Sequence, residues 1–216
     1  MSLLDIILPP ACAGCGRTGA LLCRACLAAF PPASRPEDRF AAPDPAVVVG
    51  EALALAMAAF AYDGPLRRAL AALKYGGASR VALSLAQAAA PALQPLIAVS
   101  GPAVLVPVPV HAERRRVRGY NQAALIAREL AAATGLRMEE PLERVRPTTK
   151  QHGLDRAARL ANLRGAFGMR HAARRPPVVI IVDDIITTTA TLEACATVLR
   201  HGGTEAIYGF AMAREV

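Results

Sequence analysis

The most sharply patterned part of the chain runs from Val178 to Leu199. Val178-Val179-Ile180-Ile181-Val182 is a run of β-branched residues that suits a strand buried on both faces. Asp183 and Asp184 stand at its carboxyl end, and a turn rich in threonine follows. Leu192, Cys195, Ala196 and Leu199 then recur at i, i+3, i+4 and i+7, so strand, turn and helix are predicted in that order. Earlier, Ala52 to Ala61 reads as a strand. Leu66, Ala69, Leu70 and Leu73 follow at helical spacing after a Gly64-Pro65 start, and the helix ends at Lys74-Tyr75-Gly76-Gly77. Ala103 to Pro109 predicts a second buried strand whose prolines end the pairing. A further helix continues through Leu125, Ile126 and Leu130.

The turn after Val182 gathers the most chemistry. Open α/β sheets bind ligands at the carboxyl ends of their strands. A helix starting there offers unpaired N–H groups and the positive end of its dipole, so Thr187, Thr188, Thr189, Ala190 and Thr191 form a candidate cradle for a dianionic phosphate. Asp183 and Asp184 can accept hydrogen bonds from ribose hydroxyls. One loop would then read both ends of a ribose 5-phosphate. The plain alternative is a Thr-capped helix after a hydrated strand end, but that needs one capping residue, not two carboxylates and several threonines.

Basic residues cluster in three further places. Lys74 at its glycine-rich turn suits either a phosphate or the dipole of the helix it ends. Beyond Pro107, Val108 and Pro109, the segment from His111 to Gln122 carries Arg114, Arg115, Arg116 and Arg118. Guanidinium forks there can hold pyrophosphate bidentately, line a nucleic-acid backbone, or simply face water. Arg118-Gly119-Tyr120-Asn121-Gln122 sets a glycine between a guanidinium and an amide pair at a helix start, where Asn121 can also act as N-cap. The third place, Arg144 to Arg156 continuing to Arg159 and Asn162, is polar and nearly free of large apolar residues until Leu154. It predicts an exposed loop leading into a helix. Such a loop is either a surface segment with incidental charge or a flap that excludes water and neutralises a departing pyrophosphate.

Composition sets the frame. The 216 residues allow one α/β domain with a small appendage, and 54% hydrophobic content is ample for a core. Val49 to Ala61 reads as the only long low-polarity region; it contains Glu51 and is shorter than the roughly 20 apolar residues of a membrane span. No membrane span is expected. The start, Met1-Ser2-Leu3-Leu4-Asp5, lacks the basic region of a secretory signal, so a cytoplasmic protein is the default expectation.

Cysteine gives the second strong signal. Cys12-x2-Cys15 and Cys23-x2-Cys26, with Gly14 and Gly16 beside the first pair, have the spacing of two knuckles around one tetrahedral Zn²⁺. Two disulfides are the alternative, which a reducing compartment opposes. Cys195 falls on the apolar face of its helix and reads as packing. The expected organisation is a zinc ribbon over residues 1–30, a proline-rich linker over 31–50 with Pro31, Pro32, Pro36, Pro43 and Pro45, and the α/β domain over 51–216. With little apolar sequence of its own, the ribbon should need its metal to fold.

The stretch from Val178 to Thr191 resembles the phosphoribosyl-pyrophosphate (PRPP) loop of type I phosphoribosyltransferases. That family usually has glycine where Thr189 stands, and a β-branched residue is poorly suited to positive φ or to close approach of phosphate. With the cysteine quartet, Tyr62-Asp63-Gly64, Leu73-Lys74-Tyr75, Val106-Pro107-Val108-Pro109, Arg118 to Gln122, and Arg146 to Gln151 with Arg159 and Asn162, nearly the whole chain resembles the ComF family of competence proteins. That resemblance implies a type I phosphoribosyltransferase-like parallel sheet flanked by helices, with a small amino-terminal zinc ribbon. It also implies a part in handling incoming single-stranded DNA, alongside DNA-uptake proteins.

The implied reaction displaces pyrophosphate from carbon 1 of PRPP, or of a related phosphorylated sugar, by a nitrogen nucleophile with Mg²⁺. Asp183 and Asp184 would hold ribose, and Thr187 to Thr191 the 5′-phosphate. Lys74, Pro107, Val108, Pro109 and Arg118 would face pyrophosphate, and Arg146, Thr148, Lys150, Gln151 and Arg159 would belong to the flexible loop. No single catalytic residue and no acceptor can be named.

A reading from another class is a non-catalytic single-stranded-DNA-binding factor that keeps the pocket as a sensor or relic. A net charge of +8 and a pI near 9.8 favour anionic partners. With 4% aromatic residues and no Trp, there are few stacking platforms for bases, so DNA contacts would be mainly to phosphate.

Overall fold

The computed structural model describes residues 9–33, 51–75, 78–147, 163 and 165–215. Its helices are α1 (Arg24–Ala28), α2 (Gly64–Tyr75), α3 (Val81–Ser100), α4 (Ala112–Arg118), α5 (Gln122–Thr134) and α6 (Ala190–His201). Its strands are β1 (Leu55–Ala61), β2 (Val104–Pro107), β3 (Arg137–Met138), β4 (Leu142–Arg144), β5 (Phe167–Met169), β6 (Val178–Ile186) and β7 (Ala206–Arg214). Five strands form one parallel sheet in the order β1-β7-β6-β2-β3, while β4 and β5 pair separately and antiparallel. The protein is thus α/β, a parallel sheet flanked by helices, with an amino-terminal four-cysteine cluster.

The β-branched run lies at the sheet's centre, as both-face burial requires: Val179 to Val182 are inaccessible to solvent. One face is covered by α2, α3 and α5 through Leu66, Leu70, Leu73, Leu85, Leu93, Ile126 and Leu130. The other is covered by α6 and the β4–β5 pair through Leu192, Cys195, Leu199, Leu142 and Phe167. From β2 the chain runs to β3 on one side. It then enters β6 on the other side and continues away to β7. The crevice between the carboxyl ends of β2 and β6 is therefore a topological switch point, where such sheets bind ligands.

Two expectations change. β6 does not stop before the aspartates but runs through them to Ile186, because Ile185 and Ile186 are β-branched and pair with Ala213 and Arg214. The longest apolar stretch is not Val49 to Ala61 but α3, which is long and apolar enough to cross a membrane by length and composition. Its buried side, Val81, Ala82, Leu85, Ala86, Ala89, Leu93 and Leu96, packs into the core, and Pro91 and Pro95 lie on its exposed side. Prolines break a sequence pattern where they remove a helix N–H, which hides this helix from periodicity.

A clamp joins distant parts of the chain. Buried Glu193, in the first turn of α6, accepts the N–H of Ala52 at 3.0 Å and of Leu53 at 3.2 Å. Arg200 donates to the Ala52 carbonyl at 3.2 Å and to that of Glu205. The entry to β1, which has no ladder partner at those residues, is thereby satisfied by charge-assisted bonds.

Candidate functional site

The carboxyl edge of β2 and β6 collects the polar side chains. Lys74, in the last turn of α2, places Nζ 2.7 Å from Oδ2 of Asp184, whose side chain is 6% exposed. Gln122 Nε2 donates to the same oxygen at 3.5 Å, and Arg118 donates to Gln122 Oε1. Arg118 also lies over the Tyr75 ring, 5.7 Å from its centroid, and Tyr75 is the neighbour of Lys74. Tyr120 Oη donates to the Leu73 carbonyl at 2.7 Å, tying the segment before α5 to the end of α2. Burial alone would lower the Lys74 pKa, but the Asp184 carboxylate outweighs it and holds the ammonium above its ordinary value.

Local sequence explains this convergence. Gly119 adopts φ 86°, a left-handed conformation that ends α4 and turns the chain at once into α5. Asn121 is the N-cap of α5, accepting from Ala123 N at 3.1 Å, while its Nδ2 donates to the Val108 carbonyl at 3.0 Å. Arg118 and Gln122 therefore flank a tightly fixed turn. They meet over Asp184.

Asp183 starts from the opposite face, though its carboxyl still bonds to that of Asp184 and feels the Lys74 charge. Successive strand residues face opposite sides of a sheet, so Asp184 shares the face of α2 and α5 while Asp183 shares that of α6. Its electrostatic neighbours there are Cys195 and Arg144, and Arg144 in turn stacks on Phe167 at 5.2 Å. Burial, then the charge of Asp184, pushes Asp183 well above the usual carboxylate range. Cys195 is buried and its thiol is pushed up by that burial, as inert packing requires.

The threonine turn stands directly above this strand end. Thr187 is exposed, Thr188 partly so, and Thr189 and Ala190 are buried. Thr189 has φ −70° and makes no side-chain cap, so the expected conflict with positive φ does not arise. Pro107, Val108 and Pro109 are buried, the prolines have no N–H, and Val108 donates its N–H to Val182 at 2.9 Å. Their backbone donors are thus committed or absent. Arg146 is exposed, while Thr148, Lys150, Gln151 and Arg159, like the linker over 34–50, fall outside the described residues.

At the amino terminus, Cys12, Cys15, Cys23 and Cys26 place their ligand atoms within 4.8 Å of one another, with all four thiols free. Tetrahedral Zn–S bonds of about 2.3 Å separate sulfurs by about 3.8 Å, and Cys15 and Cys23 stand 3.7 Å apart. Gly14 N and Cys23 N point at the Cys12 sulfur, at 3.4 and 3.3 Å. Burial works to raise the Cys12 thiol, yet these N–H groups outweigh it and bring it to about 6. A Cβ on Gly14 would stand 2.7 Å from the Cys26 sulfur. Burial and the neighbouring sulfurs push Cys26 up to about 12. The chemistry of this donor set fits zinc.

The cluster is not isolated. Cys12, Leu22, Cys26 and Phe30 join the same apolar core as Leu66 and Leu70, and Phe30 meets Phe60 edge-on at 5.2 Å. Arg68 of α2 donates to the Gly14 carbonyl, and Ala61 N donates to Pro31 O at 2.9 Å. The contacts made by Gln122, Tyr75 and Tyr120, and this docking, were not read from sequence. Only the position of Gln122 directly after an N-cap, on the buried side of a helix, carried a signal.

No family model matches the chain. No curated protein matches it. Among solved structures, one described as the structure of the allosteric regulatory enzyme of purine biosynthesis is similar with a TM-score of 0.37 and 20% identity, over 62% of this chain and 26% of that one. The chain spans about a quarter of the length of that protein.

Proposed function

We propose that this chain binds PRPP, or a related phosphorylated sugar, in a type I phosphoribosyltransferase-like domain of the ComF kind. The supporting observation is the cluster of Lys74, Asp184, Gln122 and Arg118 at one switch point, on the strand that runs on into the threonine turn opening α6. The uncapped first turn of α6 supplies N–H groups and dipole for a 5′-phosphate. Lys74 and Arg118 supply two cations for pyrophosphate, and Asp184 accepts from ribose hydroxyls once Lys74 turns to the anion. Mg²⁺, when bound, neutralises pyrophosphate charge. Positioning and charge stabilisation then lower the barrier to attack at carbon 1 by a nitrogen nucleophile. In this reading the domains are a zinc ribbon over 1–30, a linker over 31–50 and the transferase-like domain over 51–216, in a cytoplasmic protein acting in DNA uptake.

PRPP with Mg²⁺ should raise the melting temperature by several degrees, and Asp183→Asn with Asp184→Asn should abolish the shift. An unchanged melt of the parent protein removes the ligand. A second reading, single-stranded DNA binding without catalysis, is favoured by α4, which buries no residue and exposes Arg114, Arg115 and Arg116. It expects DNA affinity that falls steeply with salt and survives loss of the two aspartates.

A further inference from the structure

Lys74, Asp184, Gln122, Arg118 and Tyr75 form a closed ring. Lys74 pairs with Asp184 at 2.7 Å, Gln122 donates to Asp184 at 3.5 Å, Arg118 donates to Gln122 and covers the Tyr75 ring, and Tyr75 returns to Lys74 through one peptide bond. Two cations therefore answer to one carboxylate, one directly and one through an amide. Gln122 is 6% exposed and uses both ends of its side chain, the oxygen toward Arg118 and the nitrogen toward Asp184. A buried amide with both ends engaged fixes its neighbours in one arrangement.

We infer that Gln122 is a positioning residue that makes the anion-binding and the sugar-binding halves of the site cooperative. The inference rests on the sugar-phosphate reading above. While the site is empty, Lys74 occupies the Asp184 oxygen that a ribose hydroxyl would need. A diphosphate engaging Lys74 and Arg118 draws Lys74 off that oxygen, and Gln122 Nε2 keeps the freed carboxylate in place. Ribose then meets an oriented acceptor. By thermodynamic reciprocity, ribose phosphate on Asp184 must also raise the affinity of Lys74 for diphosphate by the same factor. Without Gln122, the carboxylate keeps only Lys74 and the Asp183 side chain as partners and loses its tie to Arg118, so the halves uncouple.

The experiment is a pair of calorimetric titrations of the full chain with zinc: ribose 5-phosphate with and without saturating inorganic pyrophosphate and Mg²⁺, then the reverse. Each ligand is expected to tighten the other about tenfold, within the usual span of coupling between sites. Gln122→Met, which keeps the volume and removes both bonds, should bring that factor close to one. Gln122→Glu, which keeps the Arg118 contact but sets a carboxylate against Asp184, should not restore it. Tyr75 is 68% exposed, so Tyr75→Leu spares the fold and should lower the factor part-way by releasing Arg118. This variant carries the test if Gln122→Met fails to fold. Binding of both ligands with a factor of one in the parent, or an unchanged factor in Gln122→Met or in Tyr75→Leu, overturns the coupling and leaves the proposed function standing. Binding of neither ligand overturns the proposed function, and the coupling falls with it.

Discussion

The four-cysteine cluster and the switch-point crevice solve opposite problems with similar numbers of side chains. The cluster brings together four groups of one kind, so its geometry is complete only around a cation. The crevice brings together opposite charges that already satisfy one another, Lys74 with Asp184 and Arg118 through Gln122. The first site is expected to need an ion in order to fold. The second is folded without a ligand, and in the proposed function a ligand opens it.

Breaking the first site should have the largest effect. Structural zinc contributes on the order of 10 kcal/mol to small modules, so chelation, or Cys12→Ser with Cys26→Ser, should unfold residues 9–33. Because Leu66 and Leu70 share the module's core, hydrogen exchange in α2 should accelerate as well. Unchanged protection of residues 64–75 would show that the module is a passenger on the domain.

A smaller effect is expected at the crevice. Lys74→Ala leaves the Asp184 carboxylate buried without its ion partner, a loss of about 3–5 kcal/mol in urea unfolding. Lys74→Met combined with Asp184→Leu should recover most of it, since an apolar replacement removes the stranded charge. A cost below about 1 kcal/mol for Lys74→Ala would mean the pair is solvated and weak, like a surface ion pair.

The smallest effect concerns Asp183 and is one of direction with pH. Its raised pKa means the folded chain holds this proton more tightly than the unfolded chain. That contribution is full below the ordinary aspartate value of about 3.9 and is lost as pH rises through the raised value. Asp183→Asn should therefore match the parent near pH 4 and exceed its stability at pH 8, as thermal melts at the two pH values would reveal. Equal melts at pH 8 would place Asp183 in solvent.

Much of this was legible in sequence because it is local. The β6 strand, the α6 helix, the α2 helix and the cysteine spacing all follow from periodicity or short motifs. Asp183 and Asp184 facing apart was also legible in principle, since Ile185 and Ile186 extend the strand and a period of two separates neighbours. What sequence did not offer was partnership over distance: Gln122 with Asp184, Tyr120 with the Leu73 carbonyl, Arg68 with Gly14. These depend on how helices are stacked on the sheet. The prolines that hid α3 show the reverse failure, in which packing overrides a local breaker.

The position of β1 has a consequence for biosynthesis. Its strand neighbour in the sheet is β7, and its entry is clamped by Glu193 and Arg200, so its ladder partner and its clamp are translated much later. At usual ribosomal rates that delay is on the order of ten seconds, during which a nascent alanine-rich segment has no native mate. Pro31 and Pro32 lie along its other side, through the Ala61 N–H and a bridge to Phe60, where a proline deters a foreign strand from docking. The knuckle-bearing end of the chain would then act as a chaperone in cis, guarding a seat until the last strand emerges to take it.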